Sequence, residues 1–198
     1  IGVTFSAIAF MLAYTKAANL FEREGLFYVT ALPFLIFFGL FAFIIYPNRE
    51  IFHMSLETIH AMQQSYPYAH WIIPLIGNWT FSLFYILSEL WGSAILSLLF
   101  WQFANAITPV KEAKRFYGLF GLIGNFGLLL SGPSIIYFSR MSKALVKDGM
   151  PKEIAFGVSL YYLMGMVVIA GIVLLSIFYW MNREVLTDKR CYDPEAMG

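Results

Sequence analysis

The sequence predicts an all-α polytopic membrane protein, and three observations carry that prediction. The 198 residues are 60% hydrophobic and only 13% charged, against about 45–50% and about 25% in ordinary soluble domains. Apolar runs long enough to cross a bilayer as helix, about 20 residues each, recur along the chain. Aromatics reach 19%, with 20 Phe, 12 Tyr and 5 Trp. Phe suits contact with lipid, while Trp and Tyr suit the membrane–water boundary. A soluble domain this apolar would expose large adhesive patches. Strand alternation is absent and the runs are too long for barrel strands, which leaves helices as the spanning elements.

Five spans are expected, near 1–18, 26–46, 79–107, 116–138 and 154–181. The first begins inside an apolar run at Ile1, with no basic segment or small-residue cleavage site ahead of it, and reads as a truncated span and not as a signal peptide. The second closes at Pro47. Counted from Trp71, the third apolar stretch would be about 55 Å long as one helix at 1.5 Å per residue, well beyond the hydrocarbon thickness. Pro74 and Gly77 are therefore expected to break it into an interfacial lead-in and a long tilted helix. The loop 48–70, with Ile51, Ile59 and Met62, is expected to hold a short amphipathic helix at the outer surface.

Basic residues orient the bundle. Eight lysines and arginines fall in the first, third and fifth connections (Lys16, Arg23, Lys111, Lys114, Arg115, Arg183, Lys189 and Arg190) and five in the second and fourth (Arg49, Arg140, Lys143, Lys147 and Lys152). The positive-inside rule places the larger group in the cytoplasm. Net charge is +1, which offers no bulk field for nucleic acid.

Glu89 is the charged residue that lies deep inside a span. A carboxylate there costs several kcal/mol, roughly 2.5–3.5 on insertion scales for Asp, so it must face protein or water. Positions three and four apart share a helix face, and that rule puts Asn78, Ser82, Tyr85, Ser93 and Ser97 with Glu89. Such a polar stripe reads as the lining of a substrate path, or as hydrogen-bonded helix packing. Asn105 and Asn125 admit the same two readings. Gly118, Gly121, Gly124 and Gly127 form a small-residue stripe suited to close helix approach, and Gly132–Pro133 reads as a flexible break. Lys111, Lys114 and Arg115 make a compact cluster able to attract phosphate, or to anchor at headgroups. Lys16 is open to phosphate contact or to snorkelling.

Enzymatic templates are missing: there is no HExxH, GxSxG or Walker A pattern. Cys191 is the single cysteine and reads as a free thiol in a solvated tail. His53, His60 and His70 share one loop without metal-site spacing and read as solvated or interfacial. No cofactor, metal or enzymatic activity is expected.

The segment 78–125 carries SELWGS (Ser88–Ser93), LLFWQFAN (Leu98–Asn105) and EAKRFYGLFG (Glu112–Gly121). With LFYVTALPFLIFFGLFAFIIYP (Leu26–Pro47), these runs resemble the nucleotide transporters (ATP/ADP translocases) of plastids and of obligate intracellular bacteria such as chlamydiae and rickettsiae. The resemblance implies a twelve-span, major-facilitator-like helical bundle, of which this chain would be an N-terminal half fragment holding spans two to six, with 182–198 opening the cytoplasmic loop between halves. It implies a secondary carrier exchanging ATP for ADP, with phosphate as a further substrate, in a bacterial inner membrane or a plastid inner envelope. A proton-coupled nucleotide importer and a non-transporting membrane scaffold are the alternatives. Intramembrane Lys and Glu residues are important in that family, and the resemblance implies such a role for Glu89, which falls in a matching motif. Tyr85 or Trp91 would stack on adenine. The pattern departs at Gln102, Ala106 and 109–111, which bears on substrate preference.

Overall fold

The computed structural model describes residues 2–92, 99–108 and 113–187; side chains at a few positions near the start of the long central helix are outside the description. Every regular element among the described residues is helical. The chain forms two units, Ile1–Ala94 and Ile95–Gly198.

In the first unit, α1 (Gly2–Leu20) leads through a short bend into α2 (Arg23–Leu40). Glu24 in the first turn of α2 complements the helix dipole, and the helix continues through a π-type turn, Phe41–Ile45. Then come α3 (Arg49–Phe52), α4 (Leu56–Ser65), a 3₁₀ turn at Pro67–Ala69, α5 (Ile72–Gly77) and α6 (Trp79–Gly92). Ser55 caps α4, its hydroxyl accepting the Thr58 N–H at 3.2 Å. The expected amphipathic helix is α4, with Ile59 as its buried residue. The expected break falls at Asn78, whose backbone leaves helical geometry (φ −112°, ψ 43°) between α5 and α6.

The core of this unit is aromatic. Phe34 and Phe38 on α2 and Phe41 at the start of its π-type turn stand about one turn apart and are all buried. They meet the face of α6 that carries Phe81, Phe84 and Trp91. Phe41 stacks on Phe84 with centroids 4.3 Å apart, and Trp91 meets Phe34 at 5.7 Å and Phe38 at 5.9 Å. From α1, Phe10 meets the edge of Phe34 at 5.9 Å. Each such pair contributes about 0.5–1.5 kcal/mol beyond area burial. In lipid, where apolar burial does not drive helices together, ring packing of this kind holds the bundle.

The second unit holds α7 (Trp101–Ile107), α8 (Ala113–Lys147) and α9 (Lys152–Trp180), which runs on through a π-type turn, Met181–Val185. α8 and α9 pack as a hairpin. Its corner is a Schellman motif: Gly149 adopts φ +94°, Gly149 N–H reaches the Val146 carbonyl at 3.1 Å, and Met150 N–H reaches Leu145 at 3.0 Å. Pro151 then occupies the N-cap position of α9 without a side-chain hydrogen bond. α8 continues through Pro133 without interruption, so the break expected at Gly132–Pro133 is helical. It also carries on past the apolar run to Lys147, converting most of the expected connection into helix. A Cβ placed at Gly118, Gly121, Gly127 or Gly132 meets nothing within 4 Å, so these four glycines pack closely against no described neighbour.

Among the described residues, three helices are long and apolar enough to cross a membrane, Gly2–Leu20, Arg23–Ile45 and Lys152–Val185. The chain is an integral membrane segment with several spans.

Candidate functional site on the open face of α6

The aromatic packing of α6 against α2 decides where its polar residues go. At 3.6 residues per turn, Asn78, Ser82, Tyr85 and Glu89 lie roughly a third of a turn away from the Phe81–Phe84–Trp91 face. Thr80 and Leu90 of α6 are buried as well. Glu89 is exposed, and Tyr85 retains 60% of its surface. The stripe is therefore a face that unit one does not cover.

Its members differ in what they do. Asn78 closes the end of α5: its side-chain amide and its backbone N–H both donate to the Pro74 carbonyl at 3.0 Å. Ser82 donates to the Leu75 carbonyl at 3.0 Å, tying α6 to α5. Those two serve the corner, while Tyr85 and Glu89 remain on open surface. Trp91, one of the two rings expected to meet adenine, is instead packed between Phe34 and Phe38. Tyr85 is left as the accessible ring. Ser93 and Ser97 lie outside the described residues.

A computed family description, that of the TLC ATP/ADP transporters, matches residues 1–197. The chain belongs to that family. Over 191 residues it is 45% identical to ADP,ATP carrier protein 1 of Chlamydia pneumoniae, covering 96% of this chain and 36% of that protein. Similarity to ADP,ATP carrier protein 1 of Chlamydia trachomatis is 46% over 194 residues, 97% of this chain and 36% of the relative. For the carrier of the same name in Rickettsia prowazekii it is 40% over 189 residues, 96% and 36%. The chain thus spans a little over a third of the length of these relatives. No solved structure matches it.

The remaining candidates of this TLC-family chain are scattered over both units. Lys16 is exposed near the end of α1. Lys111 and Cys191 lie outside the described residues; Lys114 and Arg115 occupy the first turn of α8, with side chains outside the description. Asn125 is exposed on α8 and donates to the Gly121 carbonyl of its own helix at 3.0 Å. Asn105 on α7 accepts the Tyr117 hydroxyl of α8 at 2.5 Å, and Tyr117 also meets the edge of Trp101 at 5.4 Å. Tyr117 carries no signal of this pairing in the sequence, because its partner lies twelve residues back across a connection.

His53, expected to be solvated or interfacial, has internal partners. It is half-buried, hydrogen-bonded to Thr80, and packed edge-on against Phe81 at 4.4 Å. Burial, and then the Arg49 cation, hold its pKa below the ordinary imidazole value of 6.5. His60 and His70 are exposed as expected. Among the described residues no cluster of His, Cys, Asp and Glu has metal-site geometry.

Proposed function

We propose that the full-length protein bearing this chain exchanges ATP for ADP across a bacterial inner membrane by alternating access, and that the open face of α6 forms part of the nucleotide path. One observation carries the reading: α6 turns its aromatic side to α2 and leaves Glu89 and Tyr85 uncovered. A carboxylate at membrane depth persists only against protein or water, so the remainder of the carrier, or a water-filled path, covers this face. In a major-facilitator-like arrangement of two half-bundles, substrate sits near the bilayer midplane between them. This chain would supply five spans of the first half, with 182–198 beginning the connection to the second.

The roles follow from charge. A lone carboxylate repels polyphosphate, so Glu89 is assigned to gating, to pairing with a lysine, or to the adenine amine. Tyr85 offers the ring for the base. Lys16, Lys111, Lys114 and Arg115 attract phosphates at the cytoplasmic mouth, phosphate itself being a further candidate substrate. Asn78, Ser93, Asn105 and Asn125 are the neutral polar candidates along the path, Asn78 already engaged in the α5–α6 corner.

The test uses the full-length protein in liposomes loaded with ADP, following labelled ATP with and without a proton gradient. Uptake that requires internal ADP and ignores the gradient is the expected result. Gradient-driven uptake into empty liposomes would replace exchange by proton-coupled import, with Glu89 as proton carrier. Folded protein that moves no nucleotide would leave a membrane scaffold.

A further inference from the structure

We infer that α5 is an interfacial anchor, its outward face seated at the boundary between lipid headgroups and acyl chains. That face is made by Trp71, Ile72, Leu75 and Ile76, which share one side at helical spacing, and it is followed by Trp79 at the start of α6. Their exposures are 68%, 37%, 52%, 57% and 48%. The opposite side is spoken for: Ile73 and Gly77 are buried, Gly77 against Ile59 of α4.

Lipid is the occupant for two reasons. The first is position. α2 with its π turn ends at Ile45, and α6 begins at Trp79. The intervening segment is tied back to the start of α6, because Met54 N–H donates to the Gly77 carbonyl and the Trp79 indole N–H donates to the Phe52 carbonyl, both at 3.0 Å. It therefore stays at the level where a membrane-crossing helix surfaces.

The second reason is how its polar groups are satisfied. A short helix ending in water leaves its last carbonyls to solvent. Here the Pro74 carbonyl accepts both N–H donors of Asn78, and the Leu75 carbonyl accepts the Ser82 hydroxyl. Pro74 itself brings no N–H. The Trp79 indole has an internal acceptor, so its ring can lie in an apolar layer without stranding a donor. Internal satisfaction of this kind is what the edge of a hydrocarbon layer requires and water does not. The anchor also explains a depth: Glu89 lies ten residues beyond Trp79, or about 15 Å along a helix, near the middle of a hydrocarbon layer of about 30 Å.

Spin labels on the full-length protein in phospholipid liposomes test the anchor. Native cysteines are replaced, Leu75→Cys and Ile76→Cys are labelled separately, and His60→Cys on α4 serves as the aqueous control. At positions 75 and 76, collisions with oxygen should exceed collisions with a nickel chelate, at a depth of about 5–10 Å below the headgroups; position 60 should show the reverse. Labels at 75 and 76 open to nickel would overturn the anchor in favour of a water-exposed loop. Labels shielded from both reagents would overturn it in favour of cover by the rest of the carrier. Transport is not the readout, so this result stands apart from the exchange proposed above.

Discussion

The Nε2 atom of His53 and the hydroxyl of Thr80 are hydrogen-bonded at 2.5 Å across 27 residues of chain, and Thr80 is completely buried. This contact pins the α3–α4 connection onto the first turn of α6, one residue along from the Trp79–Phe52 link. The imidazole is disfavoured as a cation there, first by burial and then by Arg49. A histidine whose folded pKa is depressed binds fewer protons folded than unfolded. Its contribution to stability is present above the ordinary value of 6.5 and is lost as pH falls below that value and through the folded one. Amide exchange in residues 52–60 and 77–81 of the full-length protein should therefore quicken between pH 7.5 and pH 5, after correction for intrinsic rates. His53→Gln, which keeps a polar tip and does not titrate, should remove most of that acceleration. Equal acceleration in both proteins would assign it to other groups.

Gly77 sets how closely α5 approaches α4. A Cβ there would lie 3.0 Å from Cδ1 and 3.1 Å from Cγ1 of Ile59, and Ile59 is only 4% exposed. Gly77→Ala should therefore destabilise the full-length protein by about 1–3 kcal/mol, the usual range for overpacking. Ile59→Val costs about 0.5–1.5 kcal/mol alone. Combined with Gly77→Ala it should cost less than the sum of the two, since the methyl removed is the one at closest approach. Thermal unfolding of the four proteins in one detergent measures the coupling; simple additivity would mean the corner relaxes without strain.

The spanning character of this chain was legible because it rests on length and composition, and the break before α6 because Pro74 and Gly77 mark it directly. Glu89 stood out because a lone charge in a greasy run has few physical excuses. What the sequence could not convey was side. Trp91 and Tyr85 are both aromatic residues on α6, and only the positions of Phe34 and Phe38 show that Trp91 belongs to the packed face. His53 looked like its two loop neighbours until the fold brought Thr80 and Phe81 beside it. Gly132–Pro133 resembles a helix break, yet proline inside a spanning helix is tolerated when neighbouring groups accommodate the missing bond, and α8 passes through it. These are pairings between distant residues, and local pattern carries little information about them.

Glu89 should separate function from stability. On the proposed placement of Glu89 at mid-bilayer, a carboxylate there costs roughly 2.5–3.5 kcal/mol on insertion scales, so Glu89→Gln should leave thermal stability unchanged or raised. Nucleotide exchange should nonetheless fall by about tenfold or more, equivalent to at least about 1.4 kcal/mol of lost stabilisation in the rate-limiting step. Glu89→Asp should retain more activity than Glu89→Gln. Loss of stability in parallel with loss of exchange would make Glu89 a packing residue; unchanged exchange in Glu89→Gln would remove the charge from the mechanism.

Tyr117 and Asn105 join α8 to α7, the hydroxyl donating to the carboxamide oxygen while the ring keeps its edge contact with Trp101. Tyr117→Phe deletes the donor and preserves the ring. The expected cost is about 0.5–1.5 kcal/mol, toward the lower end because Asn105 is exposed to solvent. If the hydrogen bond is what Asn105 contributes, Asn105→Ala should cost a similar amount, and the double variant little more than either single one. The apparent KM for ATP should then respond alike in the two single variants, because both act by loosening the same junction. A KM that rises in Asn105→Ala and stays unchanged in Tyr117→Phe would instead place the Asn105 amide against the nucleotide, since only that variant removes the group from the path.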